Sequence, residues 1–303
     1  MSDAAAPIAV FLYNRPEHTR ACLESLAANP GFTASPLYLF CDGPRDDADR
    51  PAVTAVRRIA HEVEHPAMVI VDSSTNLGLA TSIIAGVTQV VDAHGRVIVV
   101  EDDLQLSPSF LDFMNRALRR YQNEPRVMQI AGHVVPVPFA TPDDALFLPL
   151  ASSWGWATWS RAWVQFDPAM THYDTLAGDP ARRRHFDLGG ALPNFSFLTR
   201  QRHGRLDSWW VRWYLSVFMA DGLVLYPRES LVHNHGFDGT GRHCGRGGSP
   251  YDAPGAPYAG ELPRLPATVR VDATALAQVS AFMASRNTFW QRARRRLIDL
   301  LGD

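Results

Sequence analysis

Val97-Ile98-Val99-Val100-Glu101-Asp102-Asp103-Leu104 is the stretch on which the fold turns. Four apolar, β-branched residues predict a strand buried on both faces, and such strands belong to parallel sheets covered by helices. The strand ends in three consecutive carboxylates, and in an open α/β sheet ligands bind beyond the carboxyl ends of the strands. Carboxylates crowded there repel one another unless a cation relieves them. A hard divalent ion bridging those oxygens to a diphosphate answers that chemistry. The plain alternative is an acidic cap at a strand-to-helix turn, favoured by the helix dipole.

Outward from this stretch, short apolar runs alternate with helix-length amphipathic ones. Candidate strands Ile8 to Tyr13, Pro36 to Cys41 and Ala67 to Asp72 precede it, with candidate helices Pro16 to Ala28, Ala52 to Val63 and Leu79 to Ala93 between them. A helix over Pro108 to Tyr121 and a strand over Val127 to His133 follow. The succession predicts an α/β fold with a Rossmann-like, mostly parallel sheet and flanking helices. From Ala140 to Arg205 the pattern loosens into Pro, Gly and Asp clusters, an aromatic block and the run Arg182 to Arg184, which read as loops. Asp207 to Ala220 reads as a helix, and Leu223 to Tyr226 and Leu231 to Asn234 as short strands. Gly236 to Gly248 reads as a glycine-rich loop that folds over a ligand. A Pro-rich linker, Pro250 to Pro266, leads to a last helix.

A chain of 303 residues, 46% of them hydrophobic, can bury a sizeable core. Its 29 basic and 31 acidic residues leave a formal charge of -2, which offers nucleic acid no positive field. Every basic residue other than His is Arg, and the absence of Lys excludes Schiff-base chemistry and the P-loop. Tyr13-Asn14-Arg15-Pro16, after the first strand, lacks the glycines of a dehydrogenase or nucleotidylyltransferase loop. Met1 to Pro7 lacks a signal-like pattern, and no apolar run reaches the roughly 20 residues of a membrane span. Cys22, Cys41 and Cys244 are too scattered for a disulfide framework or zinc cage, so a reducing, cytosolic compartment is expected.

Tyr13, Asn14 and Arg15 close the first strand, Asp42 and Gly43 the second, and Asn76, Leu77 and Gly78 follow the third. All fall on the sheet edge that carries the acidic triplet. Asp42 could accept from a ribose or base, and Arg15 could grip a phosphate bidentately. Each alone is a turn or cap residue; four strand ends together point to a ligand.

Ile8 to Leu26, Phe40 to Gly43 and Val97 to Phe113 resemble the inverting GT-A glycosyltransferases of the N-acetylglucosaminyltransferase I type. The block Ser153 to Trp159 and the stretch Asn234 to Cys244 are similar to bacterial glycosyltransferases encoded in surface-polysaccharide clusters. The resemblance implies a GT-A fold with an acceptor-side extension. Residues 1–133 would be a nucleotide-sugar-binding half, 134–249 an acceptor-binding and catalytic half, and 250–303 a linker and C-terminal helix. It implies Asp103 as direct ligand of Mn or Mg, with Glu101 and Asp102 on the donor or behind the metal. It implies that Asp207 is the general base, although Ser208 separates it from Trp209 where the family has acid and Trp adjacent. Asp207 could instead cap its helix.

His233, His235 and His243 lie in or beside the glycine-rich loop, and the resemblance favours His243 as a metal contact; Arg242 and Arg246 could close on the departing diphosphate. Seven of the eight Trp lie between Trp154 and Trp213. Trp154, Trp156, Trp159 and Trp163 could stack on sugars, with Trp154, Trp156 and Trp209 as acceptor contacts, although at least half of these rings should be buried core residues. The tail from Phe289 to Leu301 reads as a basic amphipathic helix that lies on an anionic membrane or docks on the domain. The expected donor is a nucleotide diphosphate sugar, giving up a hexosyl or N-acetylhexosaminyl unit. The expected acceptor is a glycan or lipid-linked glycan of bacterial surface polysaccharide, at the cytoplasmic face. A binding homologue without turnover is the alternative.

Overall fold

A computed structural model describes residues 4–140, 143–239, 251 and 256–286. Strands β1 (Ile8–Leu12), β2 (Leu37–Cys41), β3 (Met68–Asp72) and β4 (Arg96–Glu101) alternate with helices α1 (Pro16–Ala27), α2 (Arg50–His61) and α3 (Leu79–His94). All five β1 residues are buried, as a strand covered on both faces requires. Pro16 starts α1, where its missing N–H costs nothing, and Gly95 ends α3 in the left-handed region at φ 76°.

The rest comprises β5 (Leu104–Leu106), α4 (Phe110–Arg120), β6 (Val127–Ala131), β7 (Ala145–Leu148), β8 (Trp156–Trp159) and α5 (Ser160–Trp163). There follow α6 (Tyr173–Ala177), α7 (Pro180–Phe186), α8 (Asn194–Arg202), α9 (Trp209–Met219), β9 (Leu223–Pro227), β10 (Val232–Asn234) and α10 (Ala273–Arg286). Eight strands form one sheet in the order β3-β2-β1-β4-β8-β6-β9-β7, and β5 pairs with β10 in a separate ribbon. All sheet strands run one way except β8 and β7, so the expected α/β, mostly parallel sheet with flanking helices is present.

Side-chain alternation along the strands divides the core in two. Ala9, Phe11, Phe40 and Val99 pack with residues of α3 and α9 on one face. Ile8, Val10, Leu12, Ile98 and Val100 pack with α1, α2 and α4 on the other.

Two expectations need correcting. The stretch read as loops, Ala140 to Arg205, supplies β7 and β8, and β8 is inserted in the sheet centre between β4 and β6. The described part of the Pro-rich stretch, read as a linker, is docked on the domain as a strap. Tyr258 N donates to Ser230 O, Tyr121 OH to Pro266 O, and Arg264 Nε to Asp144 Oδ2; Val271 bridges Phe147 at the β7 edge. The tail helix expected over Phe289 to Leu301 lies outside the described residues. Among the described residues no helix is long and apolar enough to cross a membrane.

Candidate functional site

From β1 the chain winds outward through β2 and β3, then returns to place β4 on the other flank of β1. The sheet therefore opens a crevice between the carboxyl ends of β1 and β4, where the winding reverses. Phe11 stands opposite Glu101 in that register, so the residues after each strand meet.

Arg15, immediately before α1, crosses the crevice. Its Nη2 lies 2.5 Å from Asp102 Oδ1 and 3.2 Å from Asp103 Oδ2, while Tyr13 N–H donates to Asp102 Oδ2 at 3.3 Å. Burial disfavours the charge on Arg15, yet the two aspartates outweigh it and hold its pKa above the usual value. Burial pushes the Asp102 carboxyl up to about 6, against the pull of Arg15 and with the push of Asp103. Glu101 is raised well above the ordinary carboxylate range by desolvation and then by Asp103 and Asp102. The crevice thus holds more negative charge than one guanidinium balances. Arg15 Nη1 is meanwhile buried with no hydrogen-bond partner.

The β5–β10 ribbon sets Asn234 opposite Leu104 and folds the chain back over the triplet. His235 N–H donates to Asp103 O at 2.9 Å, which brings Gly236 beside the acid. A Cβ at Gly236 would stand 2.3 Å from Asp103 Oδ2, so no larger residue fits without displacing the acid.

Asp42 does different work from that expected. Its Oδ1 accepts from Gly43 N and Leu77 N, each at 2.8 Å, and its Oδ2 from Asn76 Nδ2 and Gly78 N, each at 3.0 Å. With four donors on it, the carboxylate is a strut that fixes the Asn76 to Gly78 loop and the start of α3. Asn76 spends its amide on the same strut and on Gly43 O. Gly78, at φ 78°, occupies a region that other residues avoid.

Tyr13 OH and Asn14 Nδ2 both donate to Asp49, at 2.5 and 3.0 Å, and Arg45 Nε donates to the same carboxylate at 2.8 Å. Hydrogen bonds from Arg45, then Tyr13, hold the Asp49 carboxyl well below the usual range. Sequence reasoning passed over Asp49 and Arg45. The signal available was their spacing of four residues just before α2.

Asp207 precedes α9, and Ser208 supplies the cap, its Oγ accepting from Val211 N. The Asp207 carboxylate is therefore not used as a cap; its side chain is 62% exposed, with Arg212 Nη2 at 3.2 Å. A Cβ at Gly78 would lie 3.8 Å from Asp207 Oδ2, which puts this carboxylate against the start of α3.

The tryptophans divide. Trp154 is half-buried, its ring edge-on to His133 at 4.3 Å and to Phe237 at 5.7 Å, beside the chain that crosses Asp103. Trp156 and Trp209 are 0% and 3% exposed and stack on one another at 4.9 Å. Neither offers a ring face to a sugar, because β8 is an inner strand and α9 packs over it; their expected acceptor contact is corrected to core packing. Trp159, Trp163 and Trp213 are buried as well. His133 is buried against Tyr251 O, and burial lowers its pKa to about 3. His233 and His235 meet edge to face at 4.6 Å. Arg242, His243, Cys244 and Arg246 lie outside the described residues.

Among the described residues no group of three His, Cys, Asp or Glu could hold a metal ion. A protein-built cage is thus missing there. What remains is an oxygen donor set led by Asp103, and hard ions such as Mg commonly use one or two carboxylates with substrate phosphates. That set fits a shared metal site completed by a diphosphate. A separate groove of about 580 Å³, lined by Ile84, Val91, Trp163 and Val164, lies at the opposite end of β4.

No family model and no curated protein matches the chain. Among solved structures, the mannosyltransferase PcManGT from Pyrobaculum calidifontis, in complex with GDP-Man and Mn2+, is similar at 17% identity and a TM-score of 0.35. The similarity covers 51% of this chain and 44% of that one, less than half of that enzyme's length. At those values it carries no argument about function.

Proposed function

We propose that the chain is a metal-dependent inverting glycosyltransferase that moves a sugar from a nucleotide diphosphate carrier to an acceptor hydroxyl. The carrying observation is the overfilled acidic crevice at the β1–β4 reversal, spanned by Arg15, with Asp207 exposed beside the start of α3.

In this reading Arg15, which has donor capacity left at Nη1, would bind the donor diphosphate, and Asp103 would be the ligand of a divalent cation. Mn or Mg bound there would supply positive charge to the departing diphosphate. Asp102 would add to the negative field that draws in the cation, with Glu101 behind it, and the cation would in turn attract the diphosphate. Gly78, positioned by Asp42, borders the donor sugar. Asp207, exposed and not used as the cap of α9, accepts the proton of the attacking hydroxyl. Trp154 offers its accessible edge to the acceptor. Transfer of a hexosyl or N-acetylhexosaminyl unit onto a bacterial surface glycan, at the cytoplasmic face of a membrane, completes the proposal; Arg242 would act on the donor and His243 on the metal.

A thermal-shift screen of nucleoside diphosphates and their sugars, with and without Mn, tests it, because a ligand that binds only the folded chain raises its apparent stability. The expected result is a nucleotide-specific rise that requires the metal. Slow donor hydrolysis without acceptor separates an active transferase from a binding homologue. No metal-dependent shift with any nucleotide would remove the reading.

A further inference from the structure

The α7–α8 unit carries a charge pattern that the reaction above does not use. Between Pro180 and Arg205 six arginines stand against one carboxylate, Asp187, in a chain whose net charge is -2. Arg182, Arg184, Arg200 and Arg202 make no ion pair with a described residue, and Arg183 acts on Asp187 only at longer range; the described salt bridge nearest them in sequence is Arg212 to Asp207.

Three of these guanidinium groups lie on aromatic rings instead. Arg183 is 5.3 Å from the Phe195 ring, Arg202 is 5.8 Å from Tyr173, and Arg182 is 5.6 Å from Phe218. Phe195 and Tyr173 stack on each other at 5.6 Å with 13° between their planes, so Arg183 and Arg202 are linked through one pair of rings. A guanidinium held on a ring keeps its N–H donors while losing rotamer freedom, and it matches carboxylate and phosphate bidentately. Arg183 Nε is buried and unpartnered.

The unit is coupled to the candidate base. Arg205 precedes Asp207 by two residues, and Ser208 N donates to Gln201 Oε1 at 2.7 Å, tying the end of α8 to the start of α9. The large hydrophobic residues exposed among the described ones are Val69, Leu77, Leu79 and Val164, none of them on this unit. Its apolar side chains, Leu192, Phe195 and Phe197 among them, are partly buried against the core, unlike the projecting apolar face of a membrane-surface helix.

We propose that the α7–α8 arginines bind an anionic glycan, an oligosaccharide carrying carboxylate or phosphate groups, as the acceptor. The inference rests on the transferase reading, since nearness to Asp207 is what makes this ligand the acceptor.

The test uses the full chain on immobilised neutral, uronic-acid-bearing and phosphate-bearing oligosaccharides at two salt concentrations, with phosphatidylglycerol vesicles in parallel. The wild type should retain charged oligosaccharides over neutral ones and release them as salt rises. A triple variant, R183Q with R184Q and R202Q, should bind them about tenfold more weakly or worse. Should that variant melt early, the single exposed change R184Q carries the test, with a several-fold loss expected. Equal retention of neutral and charged oligosaccharides, unchanged retention by a folded variant, or binding to the vesicles alone would overturn the proposal. Calorimetry with nucleoside diphosphates and Mn separates the two readings. Donor binding kept in the glutamine variants isolates this surface, whereas no donor binding by the wild type sinks the transferase reading by itself.

Discussion

On one wall of the cleft Asp102 and Asp103 are closed over by Arg15, with Asp102 only 4% exposed; on the other, Asp207 stands 62% exposed beside a helix that Ser208 has already capped. The first wall builds a field before any ligand arrives, and holds it by burial and by an internal counter-charge. The second leaves its carboxylate exposed, with Arg212 as its ion-pair partner. A buried, crowded acid keeps its charge only through a counter-charge such as Arg15, because desolvation by itself raises its pKa. An exposed acid can take a proton from an incoming hydroxyl and release it to water.

The sharpest way to break this contrast is to remove each acid singly. Asp207→Asn should lower turnover by about 10² to 10⁴-fold while nucleotide affinity holds. Asp103→Ala should lose metal-assisted nucleotide binding itself, read by calorimetry. If both variants lose donor affinity alike, the two walls do not divide the work.

Asp42→Ala comes next. Removing an acceptor that satisfies four donors should lower stability by about 3 kcal/mol, seen in chemical denaturation. Weaker nucleotide binding at unchanged stability would return Asp42 to the role of ligand contact.

The pH dependence of stability offers a third, smaller effect. The folded Asp102 keeps its proton up to about 6, whereas an unfolded Asp loses it near 4, so between those values the folded chain binds more protons. Stability from this group is therefore lost as pH rises from 4 to 6. His133 works oppositely, staying neutral when folded down to about 3. The informative quantity is the difference between wild type and Asp102→Asn, which should shift by on the order of 2 kcal/mol across that window. A difference that does not vary with pH would mean that Asp102 is ordinary.

The smallest effect belongs to Ser208→Ala. Loss of the cap should cost about 1 kcal/mol and, by freeing Asp207 to cap in its place, lower turnover several-fold. Stability lost with turnover unchanged would uncouple the cap from the base.

Much of the first wall was legible because parallel strands covered on both faces write continuous apolar runs. Val97 to Val100 and Ile8 to Leu12 could be read directly, and Glu101 to Asp103 followed from the strand end. The second half was less legible. Ala145–Leu148 and Trp156–Trp159 are four-residue strands, too short for their period to stand out, and the tryptophans of β8 suggested a sugar platform when they mark an inner strand. Asp42 misled for a related reason. Its position at a strand end is visible in sequence, but the donors that saturate it come from a loop 34 to 36 residues away. The cap at Ser208 explains the extra residue between Asp207 and Trp209: the serine closes the helix and leaves the acid outside it.

The strap that runs past Tyr258, Pro266 and Val271 has a bearing on solubility. β7 is the last strand of the sheet, and an outermost strand with unpaired backbone is a template for joining another molecule. By bridging at Phe147 and donating Asp272 N–H to Phe147 O, the strap occupies part of that template. A chain cut ahead of Tyr258 would keep every residue of the acidic crevice and yet expose a strand prone to self-association, so trimming this protein for crystallisation is safer beyond α10 than before it.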